Sequence, residues 1–118
     1  MNKEIGRRNA LTAELEFVVD GWKAFAEEFH GKEYTDGEHA FGVMSIEFQE
    51  AVDRVEAVGN VIKEFKEKQV MNHTYQDTPK QMAALYDHAR FAAEEFAQLA
   101  AVAQKTMQSG FVKECDRE

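Results

Sequence analysis

The chain has 118 residues, room for one modest domain with a single core, and its 22 acidic against 14 basic residues give a net charge of −8. That balance excludes a general binder of nucleic-acid backbones, which needs a basic surface. The hydrophobic share of 44% and aromatic share of 11% exclude a disordered chain.

One proline and a wealth of Ala, Glu, Lys, Gln and Met favour helix over strand. Cys115 is the single cysteine, so neither an intrachain disulfide nor a cysteine metal centre is expected. No apolar signal core follows Met1, and no run approaches the length of a membrane span. A soluble, cytoplasmic protein with no membrane contact is therefore expected.

In chain order, the first helix is predicted from about residue 3 to 29. Leu11, Leu15, Val18, Trp22, Phe25 and Phe29 fall on one helical face, with core or interface packing the expected role of Trp22 and the two Phe. Gly21 interrupts the pattern and marks either a close contact or a local weakness. His30 to Gly37 reads as a loop, with Gly31 suited to a helix end. Thr35 and Glu38 have the spacing of a capping box, and Asp36 is the rival cap.

The second helix is predicted from about 38 to 68. Its stripe is Phe41, Met44, Phe48, Ala51, Val55, Val58, Ile62 and Phe65. Glu47 falls at the edge of that stripe and Glu50 one step further round, beside the apolar Val43 and Val61. Carboxylates there need a partner. A divalent metal is one, and Arg54, four residues after Glu50, is another.

Residues 69 to 77 read as a polar linker. Thr78–Pro79–Lys80–Gln81 is a start signal, with Thr78 as cap and Gln81 reaching back. The third helix is predicted from about 79 to 108, with a stripe of Met82, Leu85, Ala89, Ala92, Phe96, Leu99, Ala103 and Met107. Glu95 lies on its shoulder, Gln98 one turn along, and Glu94 points further out. Gly110 is expected to end the helix and the acidic tail to fray.

The whole reads as a single all-α domain, an antiparallel bundle of three long helices. Because three such stripes over-supply a three-helix core, a homodimer completing a four-helix core is expected.

Glu47 and Glu50 project from one side of a helix about one turn apart. Opposite a helix carrying Glu95 they would present three oxygen donors to one point, which suits hard Mg²⁺ or Mn²⁺. No nucleophilic triad, phosphate-binding glycine loop or Cys/His zinc spacing is present. Two bland readings compete with a metal. Glu47 and Glu50 pair with Arg or Lys in a structural dimer, or the chain is a catalytically inactive acidic helical protein that occludes basic surfaces.

Glu47–Phe48–Gln49–Glu50–Ala51 resembles the first Glu-x-x-Glu motif of the MazG-like all-α nucleoside triphosphate pyrophosphohydrolases. Its approach, His39–Ala40–Phe41–Gly42–Val43, looks like the His-x-x-Gly-Val lead-in of phage-type and Gram-positive members. Glu95–Phe96–Ala97–Gln98–Leu99–Ala100–Ala101–Val102–Ala103 looks like their Glu-x-x-Gln-Val-Ala-Ala-Met-Ala run. The resemblance covers residues 38 to 108, and the first helix only by position.

It implies an all-α fold and Mg²⁺-dependent cleavage of a nucleoside triphosphate to a monophosphate and pyrophosphate. Glu47, Glu50 and Glu95 would be metal ligands, with Glu47 or Glu50 orienting the attacking water. The common family pattern has Asp where Gln98 stands here. An amide oxygen still binds a hard cation, without charge, so Gln98 would be a weaker ligand. Arg54, Lys63 and His39 are the candidate substrate-binding residues, with Arg90 and Lys105 as alternative phosphate partners. For His39 a helix-capping role, and for His88 simple packing, are the competing readings.

Overall fold

A computed structural model of the chain describes residues 2–31 and 33–116. The side chains of Phe29 and Cys115, both singled out above, lie outside the described residues. The elements are α1 (Asn2–His30), α2 (Gly37–Phe65), a π-helical turn (Lys66–Val70), α3 (Thr78–Met107) and α4 (Gly110–Asp116). Among the described residues there is no strand. The three long helices stand within a residue or two of their expected bounds, apart from the π turn that ends the second. No described helix is long and apolar enough to cross a membrane.

Local chemistry explains the helix ends. Gly31 closes α1 at φ 84°, a left-handed conformation glycine adopts without strain, and its N–H donates to the Glu27 carbonyl at 3.1 Å. Asp36 is the cap of α2, because its Oδ1 accepts the His39 N–H at 2.8 Å. Thr35 does not cap; its own N–H donates to His39 Nδ1 at 3.3 Å.

The expected capping box at α3 does not form. The Thr78 hydroxyl is buried without a hydrogen-bond partner, and the Gln81 N–H donates to the Asp77 carbonyl at 3.0 Å. The tail expected to fray instead forms α4, begun by Val112 and Lys113 N–H groups donating to the Ser109 carbonyl. Gly21 marks no close contact, since a Cβ there would meet nothing within 4 Å.

The chain divides into two compact units, residues 1–46 with 97–118, and residues 47–96. The first unit is built around Tyr34, Ala40 and Val102, with Val43, Met44 and Phe111 against them. Ser109, fully buried, stitches it together. Its Oγ accepts the Tyr34 N–H and donates to the Lys105 carbonyl, both at 2.9 Å. Lys105 is 1% exposed and its ammonium stands 4.2 Å from the centre of the Tyr34 ring.

The second unit is a helical hairpin. Arg54 meets Phe91, while Glu47 and Glu50 meet Glu95, so the two strands of the hairpin run antiparallel. The buried face takes in one edge of the expected stripes (Ala51, Val58, Phe65, Leu85 and Ala92) and leaves the other edge out. Ala51 is 0% exposed, and Glu47, Val58, Val61 and Phe65 are half-buried. Phe48 (54%), Val55 and Ile62, at the centre of the expected stripe, are exposed.

On α3, Gln81, Leu85, His88, Phe91 and Glu95 are half-buried and Ala92 is buried, while Phe96 is exposed. At about 100° per residue the packed faces lie roughly 50° or more round from the apolar stripes, toward Glu47 and Glu95. The cause is side-chain size. Ala51 and Ala92 allow a close approach that rows of Phe and Ile would block.

Candidate metal centre

The hairpin puts three carboxylates together. Glu47 and Glu50, three residues apart, share one side of α2, and the antiparallel return brings Glu95 of α3 to them. Each offers one oxygen, and the three oxygens lie within 4.8 Å of one another. A cleft of about 450 Å³ opens beside them, lined by Glu50, Asp53, Arg54 and Glu95.

The electrostatics are those of acids crowded without enough counter-charge. Burial pushes the Glu47 carboxyl above its usual range, and the neighbouring Glu50 and Glu95 push it further. Glu95 is raised by burial first, then by its close carboxyl contact with Glu50 and by that group's charge. Glu94 adds to the rise, and Arg54 opposes it. One oxygen each of Glu47 and Glu95 is buried with no hydrogen-bond partner.

Among the described residues, no ion pair within 4 Å involves Glu47, Glu50 or Glu95. The pairs present are Arg8–Glu4, Lys23–Glu27, Lys68–Glu64 and Arg90–Glu94. Within the described residues of one chain, Glu47 and Glu50 therefore have no Arg or Lys partner.

Arg54 lies beside the cluster rather than in it. Its guanidinium stacks on the Phe91 ring at 5.0 Å, and Arg90 covers the same ring at 4.8 Å. The contact with Phe91 sets Arg54 at the cleft wall. Phe91, half-buried, is therefore a positioning side chain.

Asp53 was not singled out by the sequence reading. It stands three residues after Glu50 and six after Glu47, continuing their ladder, and accepts from the Gln49 amide at 2.9 Å. That spacing was the available signal.

Lys63 is exposed in the last turn of α2, about 20 Å of helix rise beyond Glu50, and does not line the cleft. His39 belongs to the other unit, at the start of α2, with its ring edge-on to Tyr34 at 5.1 Å. Gln98, half-buried, also belongs to that unit. Lys105 is engaged beneath Tyr34, and Arg90 pairs with Glu94 at 3.3 Å. His88 is half-buried on the packed face of α3, with Nδ1 unpartnered.

The donor set fits a hard divalent cation. It is all carboxylate oxygen, it holds two orphaned buried oxygens, and its raised proton affinities mark negative charge that a cation would relieve. Compared with protein family models, curated proteins and solved structures, the chain matches none.

Proposed function

We propose that the chain is a MazG-like nucleoside triphosphate pyrophosphohydrolase that uses Mg²⁺ or Mn²⁺ and releases a nucleoside monophosphate and pyrophosphate. The observation that carries this reading is the convergence of Glu47, Glu50 and Glu95 on one point, with no cation among the described residues paired to them within 4 Å. The motif resemblance around Glu47–Glu50 and Glu95 supplies the substrate class.

Glu47, Glu50 and Glu95 would hold the metal, with Asp53 next in line at the cleft. The ion would supply charge neutralisation for phosphate oxygens and a bound water of lowered pKa. The chain's own part is positioning. Arg54, braced on Phe91, offers a guanidinium to a phosphate entering the cleft. Glu47 or Glu50, through its second carboxylate oxygen, would orient the attacking water for in-line displacement. The same reading includes a cytoplasmic location and a homodimer. The dimer is supported by the exposed apolar residues Leu11, Leu15 and Val18 along α1.

The test is pyrophosphate release from a panel of ribo- and deoxyribonucleoside triphosphates with Mg²⁺ or Mn²⁺. Glu47→Gln and Glu50→Gln should each lose at least about tenfold in turnover, since each removes a charged ligand. Metal should also raise the melting midpoint of the wild type and not of the variants.

The metal shift should grow with pH. A carboxyl whose folded pKa is raised holds a proton that the unfolded chain has released. Apo stability therefore falls as pH climbs from about 4.5, and the cation removes that loss. No turnover and no metal-dependent shift in melting would move the assignment to an acidic interaction protein.

A further inference from the structure

We propose that α1 docks against α1 of a second copy, the two helices antiparallel, in the register that sets Arg7 against Glu28 of the partner subunit. The proposal rests on the homodimer reading above and is independent of the enzymatic one.

Every residue from Lys3 to Val18 is exposed. Further along α1, the half-buried residues are Val19, Trp22, Lys23, Ala26 and Glu27, which lie on one flank of the apolar stripe. Apart from the half-buried Trp22, the described residues of the stripe face outward. Leu11, Leu15 (60%), Val18 and Phe25 are exposed, with Phe25 packed edge-on to Trp22 at 5.8 Å. Most helical stability in a protein comes from packing an amphipathic face rather than from propensity, so an uncovered stripe leaves that term unused. Its 4-3-4-3 spacing is that of a helix–helix seam.

Charge selects the occupant and its direction. The start of α1 is basic (Lys3, Arg7 and Arg8 against Glu4). Its later part is acidic (Glu14, Glu16, Asp20, Glu27 and Glu28 against Lys23). A parallel pair would place Arg8 against its own copy in the seam. An antiparallel pair brings each basic end to the acidic part of the other helix, so the surface is self-complementary as a two-fold interface requires.

Two antiparallel registers bury the stripe. In one, Leu15 meets Val18 of the partner subunit and Leu11 meets Trp22 of the partner subunit. Arg8 then lies over Phe25 of the partner subunit, and Arg7 flanks Glu28 of the partner subunit, twice by symmetry. Sliding one heptad brings Glu14 beside Glu28 of the partner subunit, also twice, and is disfavoured by like-charge repulsion. Gly21, open on all sides, falls opposite Glu14 in the favoured register and leaves it room.

Sedimentation equilibrium of the full chain tests this, with circular dichroism to confirm helicity. Wild type is expected to be dimeric. Arg7→Glu and Glu28→Arg should each weaken the dimer by about tenfold, because each places two like-charged pairs at the seam. Mixing the two variants should restore wild-type affinity as a heterodimer, in which both pairs are again opposite in sign, and the double variant should recover alone.

A monomeric wild type at tens of micromolar would overturn the dimer and the seam together. A dimer indifferent to both reversals would overturn the seam alone. A dimer strengthened by Glu28→Arg would assign the shifted register instead.

Discussion

Lys105 shows how one buried charge is managed away from the carboxylates. It is enclosed in the first unit with its ammonium on the Tyr34 face, and burial holds its pKa below the usual lysine range, opposed only by the nearby Glu27. A lysine whose folded pKa is depressed binds fewer protons folded than unfolded. Stability therefore rises with pH through the window below about 10.5, the unfolded value. Lys105→Met, which keeps the stem and removes the charge, should abolish that alkaline rise. Chemical denaturation at stepped pH checks it, and a rise that persists would place its origin elsewhere. The carboxylates invert the situation: Glu47 and Glu95 are crowded by their own kind and gain from a cation, whereas Lys105 already has an aromatic face. The two sites respond to pH in opposite senses and in separate ranges, so one titration distinguishes them.

Among the elements, α2 joins two tasks. Its start is fixed by Asp36, and Asp36→Ala should cost about 1 kcal/mol by removing the acceptor for the His39 N–H. Thr35→Ala should cost markedly less, since the Thr35 hydroxyl accepts no helix N–H. Urea denaturation of the two variants compares them, and equal losses would return the cap to Thr35. Further along, the hairpin partner reads α2 through Ala51. With Ala51 wholly buried, Ala51→Leu should destabilise by roughly 1–3 kcal/mol through overpacking. It should also spread Glu47 from Glu95, weakening any metal-dependent rise in melting. A tolerated leucine with that rise intact would mean that close approach at this position does not set the spacing of the carboxylates.

At the scale of the whole molecule, the exposed apolar ridges are the dominant unexplained cost of an isolated chain. Phe41, Phe48, Val55 and Ile62 along α2 and the outward stripe of α1 remain uncovered, on a chain of net charge −8. Large exposed apolar surface marks an interaction site. With the seam carried by α1, the double variant Phe48→Ser with Ile62→Ser should leave both helicity and the dimer intact, whereas Leu11→Ser with Leu15→Ser should shift the population toward monomer. Light scattering coupled to size exclusion reads this directly, and loss of the dimer in the α2 variant alone would assign self-association to the α2 ridge instead. The carboxylate cluster lies within one unit, so metal binding measured by calorimetry should survive dissociation.

The amino-acid sequence by itself determined the all-helical class, the placement of three long helices and the trio Glu47, Glu50 and Glu95. Helical periodicity, glycine at a helix end and i,i+3 spacing are local properties, carried by neighbours in the chain. It did not determine which way each helix turns. A stripe of large apolar residues names a favourable face, but Ala51 and Ala92 permit a closer approach on its flank. Only the packed hairpin decided that the flank bearing Glu47 and Glu95 goes inward and the Phe48–Ile62 ridge outward. The same is true of Asp53, whose ladder position mattered only once a cleft formed beside it, and of Arg54, whose bracing on Phe91 joins two helices. Lys105 reads as one more surface cation until Tyr34, seventy-one residues earlier, closes over it. Each of these depends on contacts between residues distant in the chain, and on the volume available where they meet.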